Sequence, residues 1–477
     1  MTTLVMKFGG TSVGKAQAIT QAASIVQSYA PQWDNLVVVV SAMSGVTDAL
    51  VNGARTAAAG DTNTYPAIVS DLRVRHTLVI AALVEEGKER SELLKTMDTY
   101  LDEFATLCHS VGVLGELTPR AMDAISSLGE RINARIFAAC LRQMGIAGQA
   151  VDATELIVTD NRYQHAVPLM DLTRARVQKG LLPLMAEGAV PVVTGFIAAT
   201  ETGVTTTLGR GGSDYSAAIL GAALDADEVW TWTDVDGVMT TDPRIAPDAR
   251  VIPVLSYSEV GELAYFGAKV LHPKTISPVV ERGIPLWVKN TFNPAHPGTQ
   301  IVREPESTAG TVKAVTAIHG LSMVTVEGRG MMGVPGIAAR TFAAVASKGA
   351  SVLMISQASS EQSICFIIPT EDVPPVIDAL ESALALELAR RDIDRVWAMD
   401  DIVVVTAVGA GMRGTPGVAA RLFVALASQS INAIAIAQGS SECSISIAVS
   451  ADQATEAVRQ IHREVVNGSG RKGVKDA

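Results

Sequence analysis

Residues 334–361, VPGIAARTFAAVASKGASVLMISQASSE, return 81 positions later as 415–442, TPGVAARLFVALASQSINAIAIAQGSSE, with no gap. A duplicated block of this length restricts the architecture more than any other feature of the chain, because each copy must build the same supersecondary unit. The first copy reads strand MVTVEG, glycine-rich turn, amphipathic helix PGIAARTFAAVASKG, strand SVLMIS, strand SICFIIP and helix VPPVIDALESAL. That order predicts a ferredoxin-like βαββαβ unit. RVWAM supplies a last strand for the first copy, whereas the second runs out into the polar NGSGRKGVKDA, read as a flexible tail over 467–477. VKAVTAI, 312–318, is then left over ahead of the first copy. We expect it to cross and complete the second unit, giving an interlocked pair over 312–395 and 396–466.

The stretch NPAHPGTQIVREPESTAG, 293–310, is rich in Pro, Gly and Ser and marks the main boundary, so a first domain is expected over 1–300. There β-branched runs alternate with helical patterns: LVVVV before Ser41, AVPVVTG around Val192, EVWTWTD ending at Asp234 and IPLWVKN around Trp287. Strands separated by helices predict an α/β fold with a parallel sheet. Residues 67–107 carry a long Leu/Val/Glu/Lys periodicity that suits a helical excursion from that sheet. A 477-residue chain with 48% hydrophobic side chains buries a large core, and its net charge of −11 argues against nucleic acid as a partner. No apolar run reaches the length of about 18 that a membrane span needs. MTTLVMKFGG lacks the plan of a signal peptide. Cys108, Cys140, Cys365 and Cys443 are widely spaced and read as buried thiols of a reducing, cytoplasmic compartment rather than as metal ligands.

LVMKFGGTSVGK, 4–15, imitates a P-loop. The pattern needs a hydroxyl directly after its lysine, yet Ala16 follows Lys15, so a P-loop NTPase is set aside. What remains is an apolar strand ending near Lys7, followed at once by Gly9, Gly10, Thr11 and Ser12. A second glycine-rich stretch, TTTLGRGGSDYSAA, 205–218, runs from a strand through Gly209, Arg210, Gly211 and Gly212 into a helix whose N-cap region holds Ser213 and Asp214. Backbone N–H groups at such a turn and the positive end of the helix favour an anion. Two such strand ends, each with one cation, suit a phosphate between them.

TWTDVDGVMTTDPRIAP, 231–247, places Thr233 and Asp234 at a strand end, where open α/β sheets bind ligands, while Asp236 and Asp242 read as solvated turn carboxylates. Lys269 lies in the apolar context ELAYFGAKVLHP, and His272 reads as a turn residue. SAMSGVTD, 41–48, supplies Ser41 and Thr47, and SSLGERINARI, 126–136, opens a helix with Glu130. A carboxylate at a helix N-terminus is stabilised by the helix dipole, so Glu130 also has a purely structural reading.

KFGGTSVG, SAMSGVT, SLGER, TTLGRGGSDYSA, WTDVDGV, TTDPR and FGAKVLHP, followed by VPGIAAR and SQASSE, resemble the aspartokinases of the amino-acid kinase superfamily, in that family's order over nearly the whole chain. The resemblance implies a three-layer αβα catalytic domain with a mainly parallel eight-stranded sheet, then two ferredoxin-like ACT units. It implies ATP-dependent phosphorylation of the β-carboxylate of L-aspartate, the first step towards lysine, threonine, methionine and isoleucine. Lys7 would then hold the transferring phosphoryl group and Asp214 would orient it, with Gly9, Gly10, Thr11, Ser12, Thr233, Asp234, Arg244 and Lys269 serving ATP. In particular, Gly9 and Gly10 would donate backbone N–H groups. Arg210 would clamp the α-carboxylate of aspartate, Glu130 would read its ammonium, and Ser41, Thr47 and Ser213 would add polar contacts. Mg²⁺ would enter with ATP, Asp214 helping to organise it, with no further metal ligand assigned to the protein. Met239 departs from the family, since many relatives carry tyrosine there against the nucleotide. Gln357 and Gln438, in ISQASSE and IAQGSSE, stand at equivalent positions and point to an amino-acid effector, threonine ahead of lysine. The resemblance further implies a homodimer or dimer of dimers without nucleic-acid or membrane partners. With the sequence stopping near 477, it implies a monofunctional member. KFGGTS and the twin repeat speak against an acetylglutamate or glutamate 5-kinase, and intact Lys7, Arg210 and Asp214 against an inactive amino-acid sensor.

Overall fold

The computed structural model describes residues 1–267, 271, 273–304, 312–331, 334–357, 362–439 and 441–467. They form two compact units. The first holds 1–238, 251–257 and the described part of 270–305. The second holds 239–250, the described part of 258–269 and the described residues from 312 onward.

In the first unit an eight-stranded sheet runs, edge to edge, Gly148–Val151, Val190–Thr194, Asn35–Val40, Thr3–Phe8, Glu228–Thr233, Leu286–Asn290, Thr299–Val302 and Val254–Ser256. Only the pair Leu286–Asn290 and Thr299–Val302 is antiparallel. Every residue of Thr3–Phe8 is buried, as a parallel strand covered on both faces requires. Leu4, Met6 and Phe8 share one core with Val38, Val40, Ile19, Val26 and Phe137. The last three come from helices Ala16–Tyr29 and Leu128–Gln143, whose apolar residues recur at three- and four-residue spacing. Each such fully buried side chain contributes about 1.5–3 kcal/mol. Because side chains alternate along a strand, Lys7 points with Val5 to the other face.

The expected helical excursion is two helices, Thr64–Leu83 and Lys88–Leu114, interrupted at VEEG, 84–87. Leu72, Ile80, Leu101 and Phe104 carry them onto helix Val46–Ala58 within the same core. A small sheet of Val158–Thr159, Ile197–Thr200 and Thr205–Thr207 leads into the second glycine-rich stretch.

In the second unit a six-stranded sheet runs Met354–Gln357, Ser363–Pro369, Ala314–Glu327, Arg395–Val408, Ser444–Ser450 and Ala435–Gln438. The two central strands are each 14 residues long and belong to both repeats. Residues 314–318 pair with 404–408, and 321–327 with 395–402, across a register shift near Gly320, φ 73°, and Asp401, φ 56°. VKAVTAI and MVTVEG are thus two halves of one strand. Val312 and Val315 lie in the core of the second repeat with Leu422, Ile447 and Val458, whereas Val324 and Val326 lie in that of the first with Phe366 and Leu380. The contiguous domain expected over 1–300 lends two segments to this unit, because Val315 N–H donates to Thr240 O at 2.8 Å and Lys313 pairs with Glu259 at 2.8 Å. No described helix is long and apolar enough to cross a membrane.

Candidate active site

Parallel strands point their C-terminal ends the same way, and ligands of such sheets sit at that edge. Lys7 occupies it from strand Thr3–Phe8, whose neighbours end at Val40 and Thr233. After the strand the chain turns tightly, with Val13 N–H donating to Gly9 O at 3.2 Å. A side chain at Gly9 would begin 3.4 Å from Lys7 Nζ, and one at Gly14 would begin 3.0 Å from Gly10 O. The glycines therefore keep the space beside the ammonium open.

Two carried-over contacts of this loop need correction. Gly9 N–H already donates to Trp232 O at 3.2 Å, so it is not free for a phosphate oxygen. Ser12 is fully buried; its hydroxyl accepts from Thr291 Oγ1 at 2.7 Å and faces Trp232 O at 3.4 Å. It fastens the loop to the neighbouring strand instead of facing a ligand. Thr11 is exposed, and Gly10 is half-buried.

The second glycine-rich stretch arrives opposite the first. Asp214, in the first turn of helix Gly212–Leu224, brings Oδ1 to 2.7 Å from Lys7 Nζ, with side-chain exposures of 17% and 9%. Such a pair is held by mutual neutralisation as much as by packing. Gly209 and Gly211 have φ of 79° and 72°, which only glycine adopts cheaply. Between them Arg210 is exposed and bonds to no other described residue. Ser213 packs against Gly195, where an added Cβ would lie 2.7 Å from its Oγ.

Glu130 lies in the first turn of helix Leu128–Gln143, 3% exposed, with Oε2 lacking a hydrogen-bond partner among the described residues. Burial pushes its carboxyl up to about 8, against backbone N–H groups of Ala42 and Glu130 that favour the charged form. A buried acid with an open oxygen suits an arriving cation. The same helix fixes the Ser41 loop, since Asn133 Nδ2 donates to Ser41 O at 2.6 Å, and Ser41 N–H donates to Phe8 O at 3.2 Å. Thr47, half-buried, begins helix Val46–Ala58 after Gly45, φ 78°.

Thr233 and Asp234 stand at the end of strand Glu228–Thr233, with Thr233 Oγ1 donating to Asp234 Oδ1 at 3.1 Å. Asp236 accepts from Asn290 and Asn293 at 2.8 and 3.0 Å, a firmer arrangement than a solvated turn. Arg244 and Met239 belong to the second unit, where the Arg244 guanidinium, 89% exposed, is clasped by Asp242. Lys269 and His272 lie outside the described residues. Gln357 and Gln438 end the two edge strands of the second unit. Gln438 lines a cleft of about 650 Å³ with Glu262, Tyr265, Phe266 and Met354, and Gln357 lines a separate depression with Pro335 and Gly336.

One contributor had no signal in the sequence. Arg75, on the helical excursion, donates from Nη2 to Gly14 O at 3.2 Å and to Ser44 O at 2.7 Å, tying the first glycine loop to the Ser41–Thr47 loop. LRVRH, 72–76, reads as an ordinary helix surface.

The family model described as the amino acid kinase family matches residues 2–290, and an ACT domain model matches 324–384 and 405–465. Aspartokinase 1, chloroplastic, of Arabidopsis thaliana is 32% identical over 475 residues, covering 97% of this chain and 80% of the relative. Bifunctional aspartokinase/homoserine dehydrogenase 1, chloroplastic, of the same plant is 38% identical over 464 residues, 96% of this chain. The chain spans about half the length of curated relatives of this bifunctional kind, 50% in that case. E. coli aspartokinase III in complex with aspartate and ADP, an R-state structure, superposes with a TM-score of 0.79 at 29% identity, covering 97% of this chain and 99% of that one. The T-state structure of the same enzyme with lysine and aspartate gives 0.77, at 29% identity and the same coverage.

Proposed function

This chain belongs to the amino acid kinase family and, within it, to the aspartokinases, and from that premise we propose that it transfers the γ-phosphoryl group of ATP to the β-carboxylate of L-aspartate, giving 4-phospho-L-aspartate and ADP. The observation that carries the reading is the Lys7–Asp214 pair at 2.7 Å beside two glycine-rich turns, with Arg210 unengaged nearby in sequence.

The chemistry asks little of a base. A carboxylate with a reference pKa near 3.9 is already a nucleophile at neutral pH, so the barrier is the approach of one anion to another. Lys7 lowers it by neutralising charge on the transferring group, and Asp214 keeps the ammonium in place before ATP arrives. Arg210 forms a bidentate fork on the α-carboxylate, and Glu130 accepts the substrate ammonium. Ser41, Thr47 and Ser213 complete the aspartate contacts, while Gly10, Thr11, Thr233, Asp234, Arg244 and Lys269 serve the nucleotide. No three His, Cys, Asp or Glu side chains converge among the described residues. Mg²⁺ in this reading enters with ATP, Asp214 would help to organise it, and the ion would supply further charge neutralisation.

The repeats bind an amino-acid effector, with threonine ahead of lysine, through Gln357 and Gln438. Lysine in the T-state complex of the E. coli relative supports the ligand class. Exposed Ile355 and Ile436 on the two edge strands support pairing with a second copy, as a homodimer or dimer of dimers. Four free cysteines among the described residues fit a cytoplasmic enzyme.

The deciding experiment follows ADP release by purified protein with MgATP, with and without L-aspartate, and then with threonine or lysine added. Aspartate-dependent turnover suppressed by threonine is the expected result. Absence of turnover with threonine still bound would reduce the protein to a sensor.

A further inference from the structure

Arg210 can clamp a carboxylate only if the loop around it holds one shape, and that loop is flanked by unusual backbone. Gln164 and Phe196 are both non-glycine residues in the left-handed region, φ 69° and 67°. Each stands against one glycine of the loop. A Cβ on Gly209 would lie 2.9 Å from Gln164 O, and one on Gly212 would lie 2.7 Å from the Phe196 ring and 3.1 Å from its Cα. Left-handed φ is strained at a non-glycine residue and persists only where neighbouring groups enforce it. The Phe196 N–H is held by Ser216 Oγ at 3.0 Å.

For Gln164 the enforcing group is Asp123, on helix Pro119–Ser126 and fully buried. Its Oδ2 accepts Gln164 N–H at 2.9 Å and Thr207 N–H at 3.0 Å, and its Oδ1 accepts the Thr207 hydroxyl at 2.8 Å and Gln164 N–H at 3.1 Å. Thr207 is the last residue of its strand, two positions before Gly209, and its carbonyl accepts Ala166 N–H at 3.0 Å. One carboxylate therefore joins the strained turn at Gln164 to the strand that delivers Arg210. Burying a carboxylate is costly, and a core could be closed here by an apolar residue. Three donors aimed at this one buried carboxylate fix the shape of the backbone around it.

We propose that Asp123 is a positioning residue for aspartate binding, setting the geometry of the Gly209–Ser213 loop and thereby of Arg210. The proposal rests on the kinase reading above for its substrate and on the contacts just given for its geometry.

The test is Asp123→Asn, nearly isosteric, which replaces one acceptor oxygen with an amide that must face N–H donors. The expected result is a rise of about tenfold or more in the KM for L-aspartate, with the KM for ATP within about twofold of wild type, as loss of one charged acceptor implies. Hydrogen–deuterium exchange across 205–214 is expected to accelerate while the melting temperature changes by a few degrees. A uniform fall in kcat with both KM values raised and the fold loosened throughout would overturn the proposal, as would an unchanged aspartate KM with unchanged exchange. Should Asp123→Asn fail to fold, Thr207→Val and Thr207→Ser read the same link. Raised aspartate KM in the valine variant, rescued by serine, supports it, and no difference between the two overturns it. If wild-type protein shows no aspartate-dependent turnover, the kinase reading fails, and the exchange rate over 205–214 alone decides whether Asp123 shapes the loop.

Discussion

Lys7 Nζ lies 2.7 Å from Asp214 Oδ1, a contact between the central strand of the first unit and the first turn of a helix that begins far along the chain. Both side chains are mostly buried, so each is the other's charged neighbour in a site with little room for water. The pair is the point at which the two glycine-rich stretches of the sequence meet.

Replacing Lys7 by Met should lower aspartate-dependent ADP release by at least about 10²-fold, the loss typical of one charge-stabilising group. Asp214→Asn should lose a comparable amount. The double variant should be little worse than either single one, because the two act as a unit. Steady-state rates on the three proteins, with melting curves to exclude unfolding, decide the matter. A Lys7→Met rate above a tenth of wild type would remove Lys7 from the reaction.

Glu130 gives a pH dependence with a definite sign. Its folded carboxyl is raised to about 8 from an ordinary 4.5, so the folded protein holds a proton that the unfolded chain has lost. The associated stability is fully present below pH about 4.5 and disappears as pH rises through about 8. The melting temperature of Glu130→Gln relative to wild type should therefore increase between pH 5 and 8.5. Aspartate should bind more tightly across the same range, since its ammonium favours the carboxylate, and should release a proton on binding at pH 7. Calorimetry in two buffers of different ionisation enthalpy measures that proton. No buffer dependence would mean that Glu130 does not meet the ammonium.

Gly209 and Gly188 share a left-handed backbone, φ 79° and 81°, but differ in surroundings. An added Cβ at Gly188 meets nothing within 4 Å, whereas at Gly209 it meets Gln164 O and His165 Nδ1 at 2.9 Å. Gly188→Ala should cost about 1 kcal/mol for conformation alone. Gly209→Ala should cost more, and should also weaken aspartate binding. Denaturant melts of both variants measure the difference, and equal losses would show that the close approach relaxes freely.

In the second unit, Lys313 and Glu259 form a buried ion pair, and Glu259 Oε1 also accepts Ala410 N–H at 2.7 Å. Lys313→Met should destabilise this unit by about 3–5 kcal/mol, because it removes the cationic partner of a buried carboxylate. Adding Glu259→Gln should recover part of that loss. If the single substitution costs under about 1 kcal/mol in denaturant melts, the pair is more solvated than its burial implies.

Much of this arrangement was legible without coordinates. The repeat at 334–361 and 415–442 announced two equivalent units, and continuous runs such as LVMKF and LVVVV announced a sheet covered on both faces, because periodicity and duplication are local properties of a chain. The residue types at Lys7, Arg210 and Asp214 pointed to an anion site, and the structure brings Lys7 and Asp214 together. Sequence reasoning did less well with groups whose role depends on what stands opposite them. It gave Gly9 N–H and the Ser12 hydroxyl to a ligand, whereas Trp232 O and Thr291 hold them. It passed over Asp123 and Arg75, whose partners lie on distant segments and leave no mark on their neighbours in the chain. It also divided the chain at a proline-rich stretch, while residues 239–250 pack with the repeats through Val315 N–H and Thr240 O. Local pattern fixes which elements form and which face of each is apolar. Hydrogen-bond partnership and burial of charge depend on long-range approach, so the tie of Asp123 to Gln164 and Thr207 and the fastening of Ser12 to Thr291 were decided only by the tertiary structure.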